Sequence, residues 1–296
     1  MKIQGACLPC IVSQAVRCAK QICESKRPAF YRAVFAKLAV MDFDQPAPAA
    51  IGDLYRFVKQ AIGTEDPYAG LRQTVNARLL AEIPALAQRI DQAADPFAEA
   101  LWIDALANGF DFNPIHHPNF EQMLNNFHAS LTLAFTEDQT EALRQDCLQA
   151  ETLLMLGDNF GEVVIDRLLL EQIHQLNPKL NLIYAVRGTP VINDVIEVDA
   201  RQAGIGQFAR ILSNGDDALG TLLPRTSAEI QAVYDQADLL LCKGQANFEC
   251  LVDVPEKNRY FIMKVKCTVL AERTKQSLGS LVCLHYPEAK QHNVQR

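Results

Sequence analysis

The sequence lacks any apolar stretch long enough to cross a membrane. A membrane-spanning helix needs about 20 mostly apolar residues, and no run in the 296-residue chain approaches that length. The first residues, MKIQGACLPCIVSQAVRC, also differ from a signal peptide, because Pro9, Ser13 and Gln14 interrupt the apolar stretch and Arg17 soon follows. We therefore predict a cytoplasmic protein with no membrane partner.

The sequence also lacks an excess of positive charge. It has 28 Lys and Arg residues against 35 Asp and Glu residues, which gives a formal net charge of -7, and no basic run stands out. Nucleic-acid-binding domains usually carry a basic patch, so we predict no nucleic-acid partner. The nine cysteines are an odd number scattered along the chain, which argues against a secreted disulfide scaffold.

The first half of the chain has the apolar spacing of helices. Within residues 51–62, for example, Ile51, Leu54, Phe57, Val58 and Ile62 recur at the period of an amphipathic helix. No alternating strand pattern appears before about residue 150. We therefore predict a helical region over residues 1–145, which can divide into two helical subdomains near residue 60.

The second half alternates short apolar runs with helical patterns. Near-continuous apolar strands separated by helices are typical of a parallel sheet that is covered on both faces. This pattern predicts an α/β domain over residues 146–296. The predicted strands span residues 152–156, 181–186, 190–194, 209–213, 237–242, 259–265 and 279–286.

Polar side chains follow several of these predicted strands. Asp158 and Asn159 follow the first, Asp194 ends the third, and Lys243 follows the fifth. Ligands of open parallel sheets bind beyond the carboxyl ends of the strands. Carboxylate and amide oxygens suit Mg²⁺ or Mn²⁺, and a lysine suits phosphate oxygens. The pattern indicates metal-assisted phosphate chemistry, although an Asp-Asn pair before a helix is also an ordinary N-cap.

Four segments of this half, GDNFGEVVID, VRGTPVINDVIEVDA, ADLLLCKGQANFECL and MKVKC, resemble the DUF89 family of damage-control phosphatases. The segments CLPC, EDPYAGLRQTVN and ANGFDF of the first half match as well, and resemble the bacterial and archaeal branch that has an N-terminal CxxC. Three features depart from the family pattern. Phe160, Val195 and Ile196 replace residues that are usually small or Thr, and ANGFDF replaces a Gly-Asn-x-x-Asp motif while it keeps the spacing of Asn108 and Asp111.

The resemblance implies a Rossmann-like α/β/α sandwich with a mostly parallel sheet and an N-terminal all-helical region. It also implies a hydrolase that uses one divalent metal ion (manganese, cobalt, nickel or magnesium) to cleave phosphate monoesters of sugars or damaged metabolites. Asp158, Asn159 and Asp194 would be the metal ligands, and Lys243 would bind the phosphate. We favour attack by a metal-bound water over attack by a carboxylate. The other predicted substrate-binding residues are Asn108, Asp111, Gly161, Asn193, Gly244, Gln245, Asn247 and Glu249.

Two other functions are compatible with the sequence. The first is a phosphometabolite-binding or regulatory protein on the same scaffold, with little turnover. The second is a metal-binding protein centred on Cys7 and Cys10, with Cys267 as a third ligand of a second metal or redox site. A closed zinc site needs four ligands, and the sequence offers no clear fourth. Phosphate release would support the phosphatase, and ligand binding without release would support the binding protein. Metal loss after Cys7→Ser would support the cysteine-centred metal site.

Overall fold

The computed structural model describes residues 1–110, 119–255 and 257–287. Helices form the described parts of the first half, as predicted. The helix α6 shows how they begin, because the side chain of Asp95 accepts a hydrogen bond from the backbone N–H of Ala98 and Pro96 occupies the first helical position. The bounds are α1 Leu8–Cys18, α2 Arg27–Ala39, α3 Ala47–Ile62, α4 Ala69–Leu80, α5 Ile83–Gln92, α6 Pro96–Ala107, α7 Phe120–Ser130 and α8 Thr140–Gln149.

The second half forms one sheet with helices between its strands. The strand order is β3-β2-β1-β4-β5-β6; the first five strands are parallel, and β6 runs antiparallel to β5. This order is that of Rossmann folds, and the predicted α/β fold class is confirmed. The bounds are β1 Thr152–Leu156, α9 Glu162–Leu176, β2 Asn181–Val186, α10 Glu197–Ala203, β3 Arg210–Ser213, α11 Ala228–Gln236, β4 Leu239–Lys243, α12 Gly244–Leu251, β5 Arg259–Lys264, α13 Thr268–Thr274 and β6 Leu281–Tyr286.

Six of the seven predicted strands are present, and the strand predicted at residues 190–194 is wrong. This segment is a loop in which Ile192 has a φ of 46°, a value that lies outside the β region that regular strands occupy. Pro190 also lacks the N–H group that a sheet ladder needs. The loop makes a single antiparallel bridge, between Asp194 and Asn159.

The sheet is covered by helices on both faces. Along β1, Leu153 and Met155 belong to a core that includes residues of α6 and α9, whereas Leu154 and Leu156 belong to a core that includes residues of α11 and α12. Because neighbouring side chains of a strand point to opposite faces, these cores lie on opposite sides of the sheet. This arrangement is the predicted three-layer sandwich.

The N-terminal helices pack against the loop that follows β2. A third core joins residues of α1, α2 and α3 to Val191 and Ile192. The packing places α1 and α3 beside the carboxyl ends of the strands. The domain boundary between residues 145 and 146 stays a prediction. Within residues 1–110, 119–255 and 257–287, no helix has the length and apolar character that crossing a bilayer would require.

Candidate active site

The strand order places a crevice at the carboxyl end of β1. The chain moves from β1 outward to β2 and β3, then returns to β4 on the other side of β1. Ligands of such sheets bind at this reversal. A cavity of about 730 Å³ opens here. The predicted site residues that line it are Cys7, Cys10, Asp158, Asn159, Asn193, Asp194, Gln245, Glu249 and Cys267.

Backbone hydrogen bonds hold the three predicted metal ligands together. The N–H of Val195 donates to the carbonyl oxygen of Asp158 over 2.9 Å, and the N–H of Phe160 donates to that of Asn193 over 2.9 Å. These bonds and the bridge between Asn159 and Asp194 join the loop after β1 to the loop after β2. Two loops distant in sequence therefore bring Asp158, Asn159 and Asp194 to one wall of the cavity.

Both aspartates are buried, and burial shifts their acidity. Burial raises the pKa of Asp158 well above its usual value, and the nearby carboxylates of Glu162 and Asp194 raise it further. Burial also raises the pKa of Asp194, although the guanidinium of Arg187 works to lower it. The Nε of Arg187 donates to Oδ2 of Asp194 over 2.7 Å. Two buried carboxylates of like charge make this wall attractive to a cation.

The donor set fits a divalent ion of the oxygen-binding type. Two carboxylates and an amide are ligands that Mg²⁺ and Mn²⁺ accept. Among the residues that the structure describes, no three His, Cys, Asp or Glu side chains are grouped to hold a metal. The candidate set therefore depends on the amide oxygen of Asn159 as its third member.

Gly244 brings the backbone of α12 directly against Asp158. This glycine has a φ of 76°, and a Cβ atom added to it would lie 1.9 Å from Oδ2 of Asp158. Glycine is thus the residue that allows both the left-handed conformation and the close approach. The first turn of α12 faces the carboxylate with the positive end of the helix dipole.

Asn108 reaches the site from behind rather than from the cavity. Its Nδ2 donates to Oδ2 of Asp158 over 3.0 Å and to both carboxylate oxygens of Glu162 over 3.2 and 3.1 Å. Its Oδ1 accepts the backbone N–H of Lys264 over 3.0 Å. Asn108 therefore fixes Asp158 in place. Asp111 lies outside the described residues.

Two other predicted substrate-binding residues are engaged with neighbouring protein groups. The N–H of Gly161 donates to Oδ1 of Asn76 over 2.7 Å. The Nδ2 of Asn247 donates to the carbonyl oxygens of Gly157 and Lys243 over 3.1 and 2.7 Å. Neither Gly161 nor Asn247 lines the 730 Å³ cavity. Both residues instead form hydrogen bonds that support the loops around it.

Lys243 lies away from the cavity, among carboxylates. Its Nζ is fully buried and lies 2.7 Å from Oδ2 of Asp104, 2.9 Å from Oε1 of Glu162 and 2.7 Å from Oδ1 of Asp166. Burial works to lower the pKa of Lys243, but Asp104, Asp166 and Glu162 outweigh it and hold that pKa well above its usual value. The predicted role of Lys243 as the phosphate-binding cation does not fit this position.

Two lysines to which the sequence reasoning gave no role do line the cavity. Lys264 ends β5, and Lys266 follows two residues later. The positive charge of Lys266 works to lower the pKa of Asp158, so the two groups interact. Both lysines belong to the segment MKVKC, where lysines at a strand end were the signal that could have identified them.

Three cysteines line the same cavity. Cys7 precedes the first residue of α1, Cys10 lies in its first turn, and Cys267 precedes α13. All three are free thiols, and burial raises the pKa values of Cys10 and Cys267. A second metal or redox site at these residues stays a prediction.

The fold and cavity define a Rossmann-like protein with an oxygen-rich site at the sheet's switch point. The family model for the damage-control phosphatase ARMT1-like domain matches residues 3–282, so the chain belongs to this family and the DUF89 resemblance is confirmed. Damage-control phosphatase PH1575 of Pyrococcus horikoshii is 29% identical over 295 residues, which cover 96% of this chain and 98% of that protein. A damage-control phosphatase of Archaeoglobus fulgidus is 30% identical over 231 residues, or 77% and 79% of the two chains.

A solved structure has the same fold. The crystal structure of a DUF89 family protein from Pyrococcus horikoshii superposes with a TM-score of 0.86 and 24% sequence identity. The match covers 96% of this chain and 99% of that chain. The helical first half and the sheet are thus both present in the solved fold.

Proposed function

We propose that this protein is a divalent-metal-dependent phosphatase that hydrolyses phosphate monoesters of small metabolites. Membership of the family and the names of its relatives support phosphatase activity. One observation carries the proposal: Asp158, Asn159 and Asp194 line the same cavity as two lysines, Lys264 and Lys266. Residues that can ligate a cation and residues that can bind a phosphate therefore line the same space.

In this proposal Asp158, Asn159 and Asp194 hold one divalent ion. When bound, the ion would polarise the phosphoryl group and lower the pKa of a coordinated water. Lys264 and Lys266 replace Lys243 as the cations that offset the charge of the phosphate oxygens. The native metal among manganese, cobalt, nickel and magnesium is part of what the assay below decides.

In this proposal Asp194 orients the attacking water. Arg187 and the backbone N–H of Gly220 both donate to Oδ2 of this carboxylate, over 2.7 and 3.2 Å. These two bonds hold Oδ2 of the carboxylate and leave Oδ1 as the atom that would bind the ion and orient its water. Asn108 holds Asp158 from the opposite side, so the two aspartates keep their separation while the substrate enters.

The cavity is larger than a phosphate group requires. Its volume of about 730 Å³ lies within the range of roughly 300–1,000 Å³ that is usual for small-molecule sites. Apolar residues from α3, α13 and the loop between β3 and α11 complete its wall, including Pro48, Ile51, Leu219 and Val269. We therefore propose substrates of the size of sugar phosphates, in which the phosphate binds at the strand ends and the remainder contacts α3.

The assay measures phosphate release from p-nitrophenyl phosphate with added Mn²⁺, Co²⁺, Ni²⁺ or Mg²⁺. Asp158→Ala and Asp194→Ala should each reduce kcat/KM on the order of 100-fold, since the ion's electrostatic stabilisation is worth about 3 kcal/mol and each 1.36 kcal/mol is tenfold. The control is Asp91→Ala, because Asp91 is an exposed aspartate in α5, and this variant should keep full activity.

Three outcomes would contradict the proposal. Folded Asp158→Ala and Asp194→Ala proteins with undiminished activity would remove these residues from the mechanism. Thermal stabilisation by phosphorylated metabolites without any phosphate release would indicate a binding protein. Metal that is retained after Asp158→Ala but lost after Cys7→Ser would place the metal at the cysteines.

A further inference from the structure

Four charged side chains form a fully buried cluster behind the candidate active site. We call Asp104, Glu162, Asp166 and Lys243 the lysine cluster. Asp104 comes from α6, Glu162 and Asp166 come from α9, and Lys243 ends β4; each side chain is 0% exposed. Charged side chains are rarely buried unless their charges are paired. The burial of four of them together therefore indicates that the lysine cluster has a specific role.

Carboxylates surround the buried ammonium group of this cluster. An ammonium group has three N–H donors, and three carboxylate oxygens lie within 2.9 Å of Nζ of Lys243. A second layer supports these carboxylates, because the hydroxyl of Tyr184 donates to Oδ2 of Asp166 over 2.5 Å. Lys243 therefore acts on the protein and not on a phosphate.

One member of the cluster connects it to the metal-ligand candidates. The carboxylate of Glu162 accepts a hydrogen bond from Nδ2 of Asn159 over 3.2 Å and two from Nδ2 of Asn108. The same Nδ2 of Asn159 donates to Oδ2 of Asp158 over 2.6 Å. The amide nitrogen of Asn159 thus faces two carboxylates, and its oxygen lies on the other side of the amide.

We propose that Lys243 is a positioning residue, which holds Glu162 so that Glu162 turns the amide oxygen of Asn159 and the carboxylate of Asp158 towards the divalent ion. This inference rests on the metal site of the proposed function. Without the ammonium, three buried carboxylates would face one another without compensation, and their repulsion would move Glu162 away from Asn108 and Asn159. Partners that orient metal ligands from behind typically change metal affinity by roughly 10–100-fold when they are replaced.

The test measures Mn²⁺ binding to metal-free protein, from the electron paramagnetic resonance signal of unbound Mn²⁺. Lys243→Met and Glu162→Gln should each weaken Mn²⁺ binding by roughly 10–100-fold. At saturating Mn²⁺, the KM of Lys243→Met for p-nitrophenyl phosphate should stay within about twofold of the parent, which is below the smallest factor expected above. Lys266→Met is the matched control, and it should raise KM without weakening Mn²⁺ binding.

A double variant tests whether Lys243 acts through Glu162. If it does, Lys243→Met combined with Glu162→Gln should bind Mn²⁺ about as weakly as Glu162→Gln alone, since residues in one network are not additive. The double variant removes one cation and one anion, so the net charge of the cluster is unchanged. It therefore provides the measurement if Lys243→Met alone fails to fold, as judged by near-ultraviolet circular dichroism.

Other outcomes would overturn the positioning role. Lys243→Met with parental Mn²⁺ affinity and a raised KM would return Lys243 to the phosphate, and fully additive losses in the double variant would disconnect it from Glu162. If the parent binds Mn²⁺ but hydrolyses no phosphate ester, the proposed function fails while the Mn²⁺ affinities still decide the role of Lys243. If the parent binds no divalent ion at all, both proposals fail.

Discussion

Gly244→Ala should damage both the stability and the metal binding of this protein. The new Cβ would lie 1.9 Å from Oδ2 of Asp158, and the φ of 76° at this position is unfavourable for alanine. The left-handed conformation alone costs about 1–2 kcal/mol. Moving Asp158 would also break its hydrogen bonds with Asn108 and Asn159, which adds about 1–3 kcal/mol for a buried group left unsatisfied.

Gly63→Ala supplies a matched control for this prediction. Gly63 follows α3 with a φ of 79°, and a Cβ added there would have nothing within 4 Å. It therefore measures the conformational cost without the collision. We expect Gly244→Ala to lose about 1–3 kcal/mol more than Gly63→Ala in the free energy of unfolding by urea.

Function should separate the two glycines as well. Gly63→Ala should keep parental Mn²⁺ affinity and phosphate release, whereas Gly244→Ala should lose roughly tenfold or more of both, as expected when a metal ligand is displaced. Equal destabilisation of the two variants, together with full activity of Gly244→Ala, would refute the argument that Gly244 shapes the site around Asp158.

Three further predictions concern stability and thiol reactivity. Arg187→Met should destabilise the protein by about 3–5 kcal/mol in urea unfolding, because it removes the charged partner of the buried Asp194 carboxylate; a loss below 1 kcal/mol would argue against a buried pair. Asp95→Ala should cost about 1 kcal/mol through loss of the N-cap of α6, with unchanged phosphate release. At pH 7.5, Cys23 should react with iodoacetamide before Cys10, because its hydrogen bond with Ser25 lowers the pKa of Cys23 while burial raises that of Cys10. Mass spectrometry reports the order, and faster labelling of Cys10 would contradict it.

The strands could be predicted because each one coincides with a local apolar run. The loop at residues 190–194 could not be predicted in this way. Its sequence, PVIND, has the apolar character of a strand. The left-handed conformation of Ile192 goes with the burial of Val191 and Ile192 among residues of α1 and α3, about 130–180 residues earlier in the chain. A pattern read over a few residues carries no information on such a distant packing partner.

The candidate site shows the same division between local and distant causes. Residues that directly follow β1 were predicted to lie at the crevice, and Asp158 and Asn159 line it. Lys243 also stands at a strand end, but it shares the face of Leu239 and Leu241, which pack against the core of α6 and α9. The alternation along β4 was visible in the sequence. The carboxylates that contact Lys243 on that face come from two helices, and the sequence did not show that they would lie there.

The charge balance of the buried site explains why its parts belong together. Five buried carboxylates lie at or behind the cavity wall, against two buried cations that contact them directly, so the ionised site has an excess of negative charge. Burial makes such an excess unfavourable, and a divalent ion between Asp158 and Asp194 would offset it. Without a cation, repulsion between the carboxylates raises the free energy of the protein. Relief of this repulsion is therefore the source of the cation affinity that we propose. Behind the cavity wall, Lys243 offsets part of the negative charge of Asp104, Glu162 and Asp166. The five carboxylates are those of Asp104, Asp158, Glu162, Asp166 and Asp194, and the cations are Arg187 and Lys243.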